Sequence, residues 1–399
     1  MLRYLYIDVV VVLTLLQTSC GGPVVSVTQS PTVTESPSPS PTLEPESLTS
    51  KIDKTLNFLT ERESFTGAVL VARNGEVLLS QGYGLADRDK NLPNTPQTKY
   101  RLGSITKQFT AMAILLLQAQ DKLNVEDHIC QYIPECPTIW QNITIHQLLI
   151  HTSGIPDFMD FPDYETTKVT PSSPSQTLAR FRDRPLDFQP GEKWSYSNSG
   201  YILLGTIIEE VSGQSYEMFL QQNIFDPLLM TNTGYDHNDG SLATGYSGFY
   251  DHWEKADYID MSIPYAAGGL YSTVEDLYRW DQALYTEQLM SREFLDLMVT
   301  PHVEIPNTGL SYGYGWVVGM MKDHWLVGHD GAMRDFTIGL RDFTSNSGNG
   351  FQGNNIEGFA SEISRYTDDR VTIIILSNRD TTNVGTVANQ IAQAIWEGQ

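Results

Sequence analysis

Apolar residues form short runs near both ends of the chain and recur at helical spacing between them. The runs at residues 67–72 and 77–79 flank Arg73-Asn74-Gly75-Glu76, and an Asn-Gly pair between two such runs is typical of a β-hairpin. The apolar run at residues 371–376 predicts a buried strand. Periodic patterns predict helices over residues 56–61, 105–117, 143–153 (stopped by Gly154), 201–211, 275–285 and 384–396.

Residues 105–117 have the pattern of a helix buried in a protein core. Ser104 precedes this segment and Lys107 lies within it, so the two side chains share one helix face. A serine becomes a good nucleophile when a neighbour takes its proton, and an enclosed lysine can shed its own proton to act as that neighbour. We therefore predict a catalytic pair at a buried helix N-terminus, where free N–H groups favour developing negative charge.

The Ser-x-x-Lys spacing also occurs in helices that have no catalytic role, and this alternative stays open for the pair alone. The chain contains ten lysines, and only Lys107 has a serine three positions before it. A catalytic assignment therefore needs other residues of the same site.

The composition indicates a globular protein with a large core, because 40% of its 399 residues are apolar. The formal net charge of −23 argues against nucleic acid and anionic membrane surfaces as partners. No cysteine and histidine residues have the spacing of metal ligands, so we predict no metal site.

Residues 1–20 have the pattern of an export signal, with a mostly apolar run at residues 4–16 that is too short to span a bilayer. The run ends in Leu16-Gln17-Thr18-Ser19-Cys20, which resembles a bacterial lipoprotein box, in which the cysteine becomes lipidated and N-terminal. A plain secretory signal is the alternative, because Asp8 interrupts the run and Gln17 is polar at a position that is usually apolar. We expect an exported envelope protein with a lipid anchor at Cys20.

Residues 21–47 contain six of the 20 prolines together with many serines and threonines, which predicts a disordered tether. Such a tether would hold a folded domain of residues 50–399 away from a membrane. In an exported protein, Cys130 and Cys136 are expected to form a local disulfide. His151 is interpreted as a structural residue that packs under the site rather than as a base.

Gly309-Leu310-Ser311-Tyr312-Gly313 matches the Gly-x-Ser-x-Gly pattern of a nucleophile elbow. That elbow requires a buried strand before the serine and a helix after it. Residues 301–308 instead have a loop-like sequence and residues 315–318 predict a strand, so we reject this alternative.

Two further motifs occur once each, Tyr196-Ser197-Asn198 as Tyr-x-Asn and His329-Asp330-Gly331 as His-x-Gly. With Ser104-x-x-Lys107 and in this order, they make the chain resemble the serine β-lactamase and penicillin-binding-protein superfamily. The resemblance is to the branch of class C β-lactamases, D-Ala-D-Ala carboxypeptidases and serine esterases, and it covers roughly residues 52–398. Other matching segments are residues 101–107, 148–156, 268–272 and 312–316.

The resemblance implies an α/β (α+β) fold in which an antiparallel sheet with flanking helices packs against a mostly helical region. Ser104 would be the nucleophile that forms an acyl-enzyme, and Lys107 and Tyr196 would share proton transfer. The neighbouring cation is expected to lower the tyrosine pKa from about 10. Asn198 would bind a substrate amide or other polar group.

The third motif would place His329 and Gly331 beside the substrate, and the N–H groups of Ser104 and Ala332 would form the oxyanion hole. Each role has an alternative: Tyr196 could be a core anchor, Asn198 a helix N-cap and His329 an ordinary strand-end residue. The polar segment 344–355 is expected to be an insertion beside the site.

We expect a monomeric serine hydrolase, without a cofactor, that acts on ester or short peptide-like substrates. His329 replaces the lysine of many relatives and Asp330 replaces a hydroxyl residue, which disfavours substrates with a carboxylate beside the scissile bond. Arg334 would offset this effect if its side chain turned inward. The alternatives are a D-Ala-D-Ala carboxypeptidase, a class C-like β-lactamase, and a tethered envelope sensor with weak turnover.

Overall fold

The structure is a computed structural model that describes residue 22 and residues 47–248, 252–331 and 357–397. The predicted export signal with Cys20, most of the predicted tether, Ala332, Arg334 and the predicted insertion at 344–355 lie outside the described residues. Among the helices that are described, none is long and apolar enough to cross a membrane.

Strands and helices alternate in blocks along the chain. The strands are β1 Gly67–Arg73, β2 Glu76–Tyr83, β3 Leu85–Asp87, β4 Leu92–Pro93, β5 Tyr100–Arg101, β6 Gly234–Tyr235, β7 Tyr246–Ser247, β8 Glu254–Lys255, β9 Leu270–Ser272, β10 Val303–Ile305, β11 Leu310–Tyr312, β12 Val317–Met321, β13 His324–Asp330, β14 Ala360–Tyr366 and β15 Val371–Ser377. The α-helices are α1 Leu48–Glu61, α2 Thr106–Ala119, α3 Ile145–Leu149, α4 Tyr164–Thr167, α5 Pro174–Ala179, α6 Asn198–Ser212, α7 Tyr216–Leu220, α8 Tyr265–Gly268, α9 Val274–Ala283, α10 Arg292–Val299 and α11 Val384–Glu397.

Within the described ranges, eight strands form one antiparallel sheet in the order β10-β11-β12-β13-β14-β15-β1-β2. The hairpin predicted from the Asn-Gly pair is confirmed: β1 and β2 are joined by Asn74 and Gly75, whose φ values are +53° and +80°. Strand β15 lies between β1 and β14, which brings the two ends of the folded region together in the middle of the sheet.

The central strands are apolar on both faces because each face is covered. Val69, Val71, Ile373 and Ile375 pack with α1 and α11 on one face. Leu70, Ile374 and Leu376 point to the other face and join the core of the helical region. Because side chains alternate along a strand, a continuous apolar run such as 371–376 predicts this two-sided burial.

Helix α2 lies at the centre of the helical region and contacts α6 and α8. Every residue from Thr106 to Leu117 is buried, which confirms the prediction of a core helix. Burying each large aliphatic side chain stabilises the fold by about 1.5–3 kcal/mol. The packing of α2 therefore fixes the position of the residues at its N-terminus. The predicted fold class, an antiparallel sheet packed against a mostly helical region, is confirmed.

Two local predictions are wrong. The helix predicted over residues 143–153 ends at Leu149, because His151 adopts a left-handed φ of +61° and accepts a backbone hydrogen bond from Ser195. Residues 303–305, predicted as loop, form edge strand β10 by pairing with β11. Ser311 lies inside strand β11 and is followed by strand β12 rather than by a helix, so the rejection of a nucleophile elbow is confirmed.

Candidate active site

Ser104 lies in a 3₁₀ turn, Gly103–Ile105, that leads directly into α2. Gly103 has a φ of +53°, and a Cβ atom there would lie 2.6 Å from the carbonyl oxygen of Gly331. A Cβ atom at Gly331 would in turn lie 2.1 Å from Ser361 Oγ. The end of β13 therefore passes against the Ser104 turn at backbone distance, and both glycines are required for this approach.

Lys107 is fully buried one helical turn after the serine. Its Nζ atom lies 3.0 Å from Ser104 Oγ, 2.9 Å from Asn198 Oδ1 and 2.9 Å from the carbonyl oxygen of Ala267. Burial lowers the lysine pKa from 10.5 to about 7, and the nearby Asp157 carboxylate opposes that shift. At neutral pH a large fraction of Lys107 is thus an uncharged amine that can accept the Ser104 proton.

Tyr196 contacts the same oxygen, and its hydroxyl donates to Ser104 Oγ at 2.8 Å. Lys107 Nζ lies 4.7 Å from the centroid of the tyrosine ring. The expectation of a lowered tyrosine pKa is wrong. Burial raises the pKa of Tyr196 well above its ordinary value of 10, and the hydrogen bond with Ser104 opposes this only in part. Tyr196 is therefore a proton donor at neutral pH, whereas Lys107 can be the acceptor.

His151 lies beneath the tyrosine, with ring centroids 4.2 Å apart. Its Nδ1 atom accepts the backbone N–H of Ser197 at 3.1 Å, so it fixes the segment that carries Tyr196 and Asn198. Burial lowers the pKa of His151 well below 6.5 and keeps the ring neutral. This position and these contacts fit the structural interpretation of His151.

Asn198 is the first residue of α6, and the N-cap position belongs to Ser197. The asparagine side chain instead bridges two groups, because Oδ1 accepts from Lys107 and Nδ2 donates to Asp157 Oδ2 at 2.8 Å. Asp157 is a further residue of the site that the sequence motifs do not include. It lies 41 residues before Asn198, and no spacing in the sequence signals their contact.

His329 is buried near the end of β13. Its Nδ1 atom lies 2.6 Å from the carbonyl oxygen of Asp330, which can only accept, so Nδ1 carries the proton. Its Nε2 atom lies 3.0 Å from Tyr312 Oη and accepts from that hydroxyl. Burial, followed by the charge of Lys107, lowers the pKa of His329 to about 3, so the ring is neutral at pH 7.

Asp330 pairs in register with Glu362 of β14. Burial and the neighbouring Asp330 raise the pKa of Glu362 to about 8, and Ser364 Oγ donates to its carboxyl group. The pair of strands thus contains one carboxyl group that is held mostly protonated at neutral pH. It lies on the face of β14 opposite to Ser361 and Ile363, because side chains alternate along a strand. The predicted oxyanion residue Ala332 follows Gly331 and lies outside the described residues.

Two predictions concern groups away from the serine. The expected disulfide is present, since Cys130 and Cys136 are joined with a Cα–Cα distance of 5.3 Å. In the part of the chain that the structure describes, no three His, Cys, Asp or Glu side chains are grouped so that they could hold a metal ion.

The site thus contains a serine whose hydroxyl lies within hydrogen-bonding distance of a buried lysine and a partly buried tyrosine, on a fold in which a helix and a strand end converge. The sequence matches the Beta-lactamase family over residues 52–395. This chain belongs to that family. A relative from Bacillus subtilis strain 168, named penicillin-binding protein 4*, is 30% identical over 341 residues, which cover 81% of this chain and 70% of the relative.

Solved structures of other proteins share the fold. The octameric penicillin-binding protein homologue from Pyrococcus abyssi is 28% identical with a TM-score of 0.71, over 88% of this chain and 77% of that one. The D-amino acid amidase from Ochrobactrum anthropi SV3, complexed with L-phenylalanine, has a TM-score of 0.71 at 22% identity, over 88% and 99% of the two chains. At that identity the amidase supports the fold alone.

Proposed function

We propose that this member of the Beta-lactamase family is a serine hydrolase that forms an acyl-enzyme at Ser104 and cleaves ester or amide bonds. One observation carries the proposal. Ser104 Oγ lies 3.0 Å from the amine of a fully buried Lys107 and 2.8 Å from the hydroxyl of Tyr196. A base and an acid within hydrogen-bonding distance of one nucleophile are what acyl transfer requires.

In the proposed acylation, neutral Lys107 takes the proton of Ser104 while the serine oxygen bonds to the substrate carbonyl carbon. The resulting oxyanion would be stabilised by the N–H groups of Ser104 and Ala332. Tyr196 then donates its proton to the leaving group as the carbon–oxygen or carbon–nitrogen bond breaks, and the proton held by Lys107 restores Tyr196. In deacylation a water molecule attacks the acyl carbon while Lys107 accepts its proton. The bond between the acyl carbon and Ser104 Oγ then breaks, and Lys107 returns the proton to Ser104.

The contacts of His329 in the third motif favour substrates that lack a carboxylate beside the scissile bond. Both ring nitrogens of His329 are used, Nδ1 as a donor to the Asp330 carbonyl and Nε2 as an acceptor from Tyr312. The neutral ring therefore offers neither a positive charge nor an N–H group to a substrate carboxylate. Neutral esters, or amides with a neutral group at this position, fit the site better.

A D-Ala-D-Ala carboxypeptidase or class C-like β-lactamase activity is the second candidate, favoured by the relative named a penicillin-binding protein. A sensor with weak turnover is the non-enzymatic candidate. We further propose that Cys20 carries a lipid anchor on the outer side of the cytoplasmic membrane, as the leader sequence favours.

The proposal is tested by labelling the protein with a fluorophosphonate and then measuring turnover of a neutral p-nitrophenyl ester, a D-Ala-D-Ala peptide and a chromogenic cephalosporin. We expect labelling and ester turnover in the wild type and neither in Ser104→Ala. The matched control is Ser311→Ala, which removes the serine of the rejected elbow and should retain both. Persistent activity in Ser104→Ala would refute the nucleophile, and labelling without turnover would favour the sensor. Equal efficiency on the two anionic substrates and the ester would refute the substrate class.

A further inference from the structure

We propose that Asp157 is a positioning residue that orients Asn198 and sets the pH at which Lys107 becomes an effective base. The proposal rests on the proposed serine hydrolase function. Asp157 follows the turn after α3 and is only partly buried, at the start of the 3₁₀ turn Phe158–Asp160. Its carboxylate accepts the backbone N–H of Met159 at 3.0 Å through Oδ1 and the Asn198 amide through Oδ2.

The first effect of Asp157 is steric and directional. An asparagine amide can present either its oxygen or its NH₂ group to a neighbour. Because Asp157 can only accept, it binds the Asn198 NH₂ group, and Oδ1 is left facing Lys107 Nζ at 2.9 Å. The reversed amide would place an N–H donor against the lysine and remove one of its acceptors.

The second effect is electrostatic. Asp157 and Lys107 are separated by the width of one amide group, so the carboxylate stabilises the ammonium form. The other titratable side chains near the lysine are Tyr196 and Tyr201, whose rings lie 4.7 and 5.3 Å from Nζ, and His151 and His329. Burial keeps both tyrosines protonated and both histidines neutral at pH 7. Burial raises the pKa of Asp157 as well, and the hydrogen bonds from Met159 and Asn198 oppose that shift because they favour the carboxylate. Among the described residues, Asp157 is therefore the group facing Lys107 that can carry charge as the lysine titrates.

This arrangement has a catalytic consequence. During acylation Lys107 passes from the amine to the ammonium form, so a carboxylate at this distance stabilises the charge that develops in the transition state. The same carboxylate raises the pH needed to deprotonate the resting lysine. Asp157 thus increases the strength of the base while reducing the fraction of it that is available at acid pH.

The test is the pH dependence of two rates in the full chain, kcat/KM for neutral p-nitrophenyl acetate and the rate constant for labelling by a fluorophosphonate. In Asp157→Asn the new side chain can still accept from Asn198 but carries no charge. We expect the acid limb of both profiles to move to lower pH by about one unit, with a plateau reduced about three- to tenfold. Asp157→Glu keeps the charge and should leave the limb near its wild-type position.

Asp160→Asn is the matched control, because it removes an exposed carboxylate from the same turn, and its limb should not move. Should Asp157→Asn fail to fold, as judged by circular dichroism, Asp157→Ser removes the charge with a smaller side chain and is expected to give the same direction of shift. An acid limb that stays in place or moves to higher pH in an active, uncharged variant would overturn the proposal. Absence of fluorophosphonate labelling in the wild type would instead refute the serine hydrolase function, on which the proposal for Asp157 rests.

Discussion

Replacing Lys107 by methionine tests the proposed base without any substrate. The lysine pKa falls from 10.5 to about 7 in the folded protein because the side chain is fully buried. Between these two values the unfolded chain binds a proton that the folded chain does not. The free energy of unfolding of the wild type therefore rises with pH across this window, relative to a variant that lacks the group.

The magnitude follows from the shift. Each pKa unit corresponds to about 1.4 kcal/mol, so the full effect is about 5 kcal/mol between the limits. Above about pH 9 ordinary lysine and tyrosine side chains also begin to titrate. From pH 7 to pH 9, which is more than half of the window, the expected gain is about 2 kcal/mol. Groups common to both proteins cancel when the difference between wild type and Lys107→Met is taken.

The assay is urea unfolding of both proteins at several values between pH 7 and pH 9, with the disulfide intact. Lys193→Met is the matched control, because the Lys193 side chain is 64% exposed and the difference from wild type should stay constant within a few tenths of a kcal/mol. If the difference between wild type and Lys107→Met is also constant over this range, the lysine titrates near its ordinary pKa. The assignment of Lys107 as a neutral base at pH 7 would then be wrong.

Two further predictions concern the proton donor and the leader. Tyr196→Phe should slow cleavage of an alkyl ester by about 10²–10⁴-fold. Cleavage of the p-nitrophenyl ester of the same acid should slow much less, because p-nitrophenolate leaves without a proton. Equal losses on both esters would contradict a proton-donating role for Tyr196. Native protein should incorporate labelled fatty acid and Cys20→Ala should not, and unlabelled wild-type protein in the culture medium would contradict the anchor.

The elements that the sequence predicts correctly are those decided by local pattern. The β1–β2 hairpin follows from Asn74-Gly75, and helix α2 follows from an apolar run that is buried over its whole length. The end of α3 does not follow from local pattern. His151 leaves the helical conformation because its backbone oxygen and its Nδ1 atom bind the segment at residues 195–197, more than 40 residues away.

In the candidate site, too, some features follow from local sequence motifs and others depend on contacts between distant residues. The three motifs identify the side chains that meet, although Tyr196 is 92 residues from Ser104, because each motif occurs once in the chain and the three follow one another in this order. Protonation states were not predictable in this way. The expected effect of a nearby cation on Tyr196 has the wrong sign, because burial is the larger cause and depends on every element packed around the ring. Asp157 has no motif, and its contact with Asn198 appears only in the folded chain.

Burial acts on every titratable group of this site and always favours the neutral form, so it moves acids and bases in opposite directions. It raises the pKa of Tyr196 and lowers the pKa values of Lys107 and His329. The described part of the resting site therefore has little fixed positive charge with which to bind an anion. Charge arises when Ser104 attacks, as an oxyanion near the backbone N–H groups and an ammonium on Lys107 beside Asp157. Stabilisation of charge that appears only during the reaction lowers the barrier without tightening the binding of substrate. We therefore propose that Asp157 stabilises the transition state and does not contribute to substrate binding.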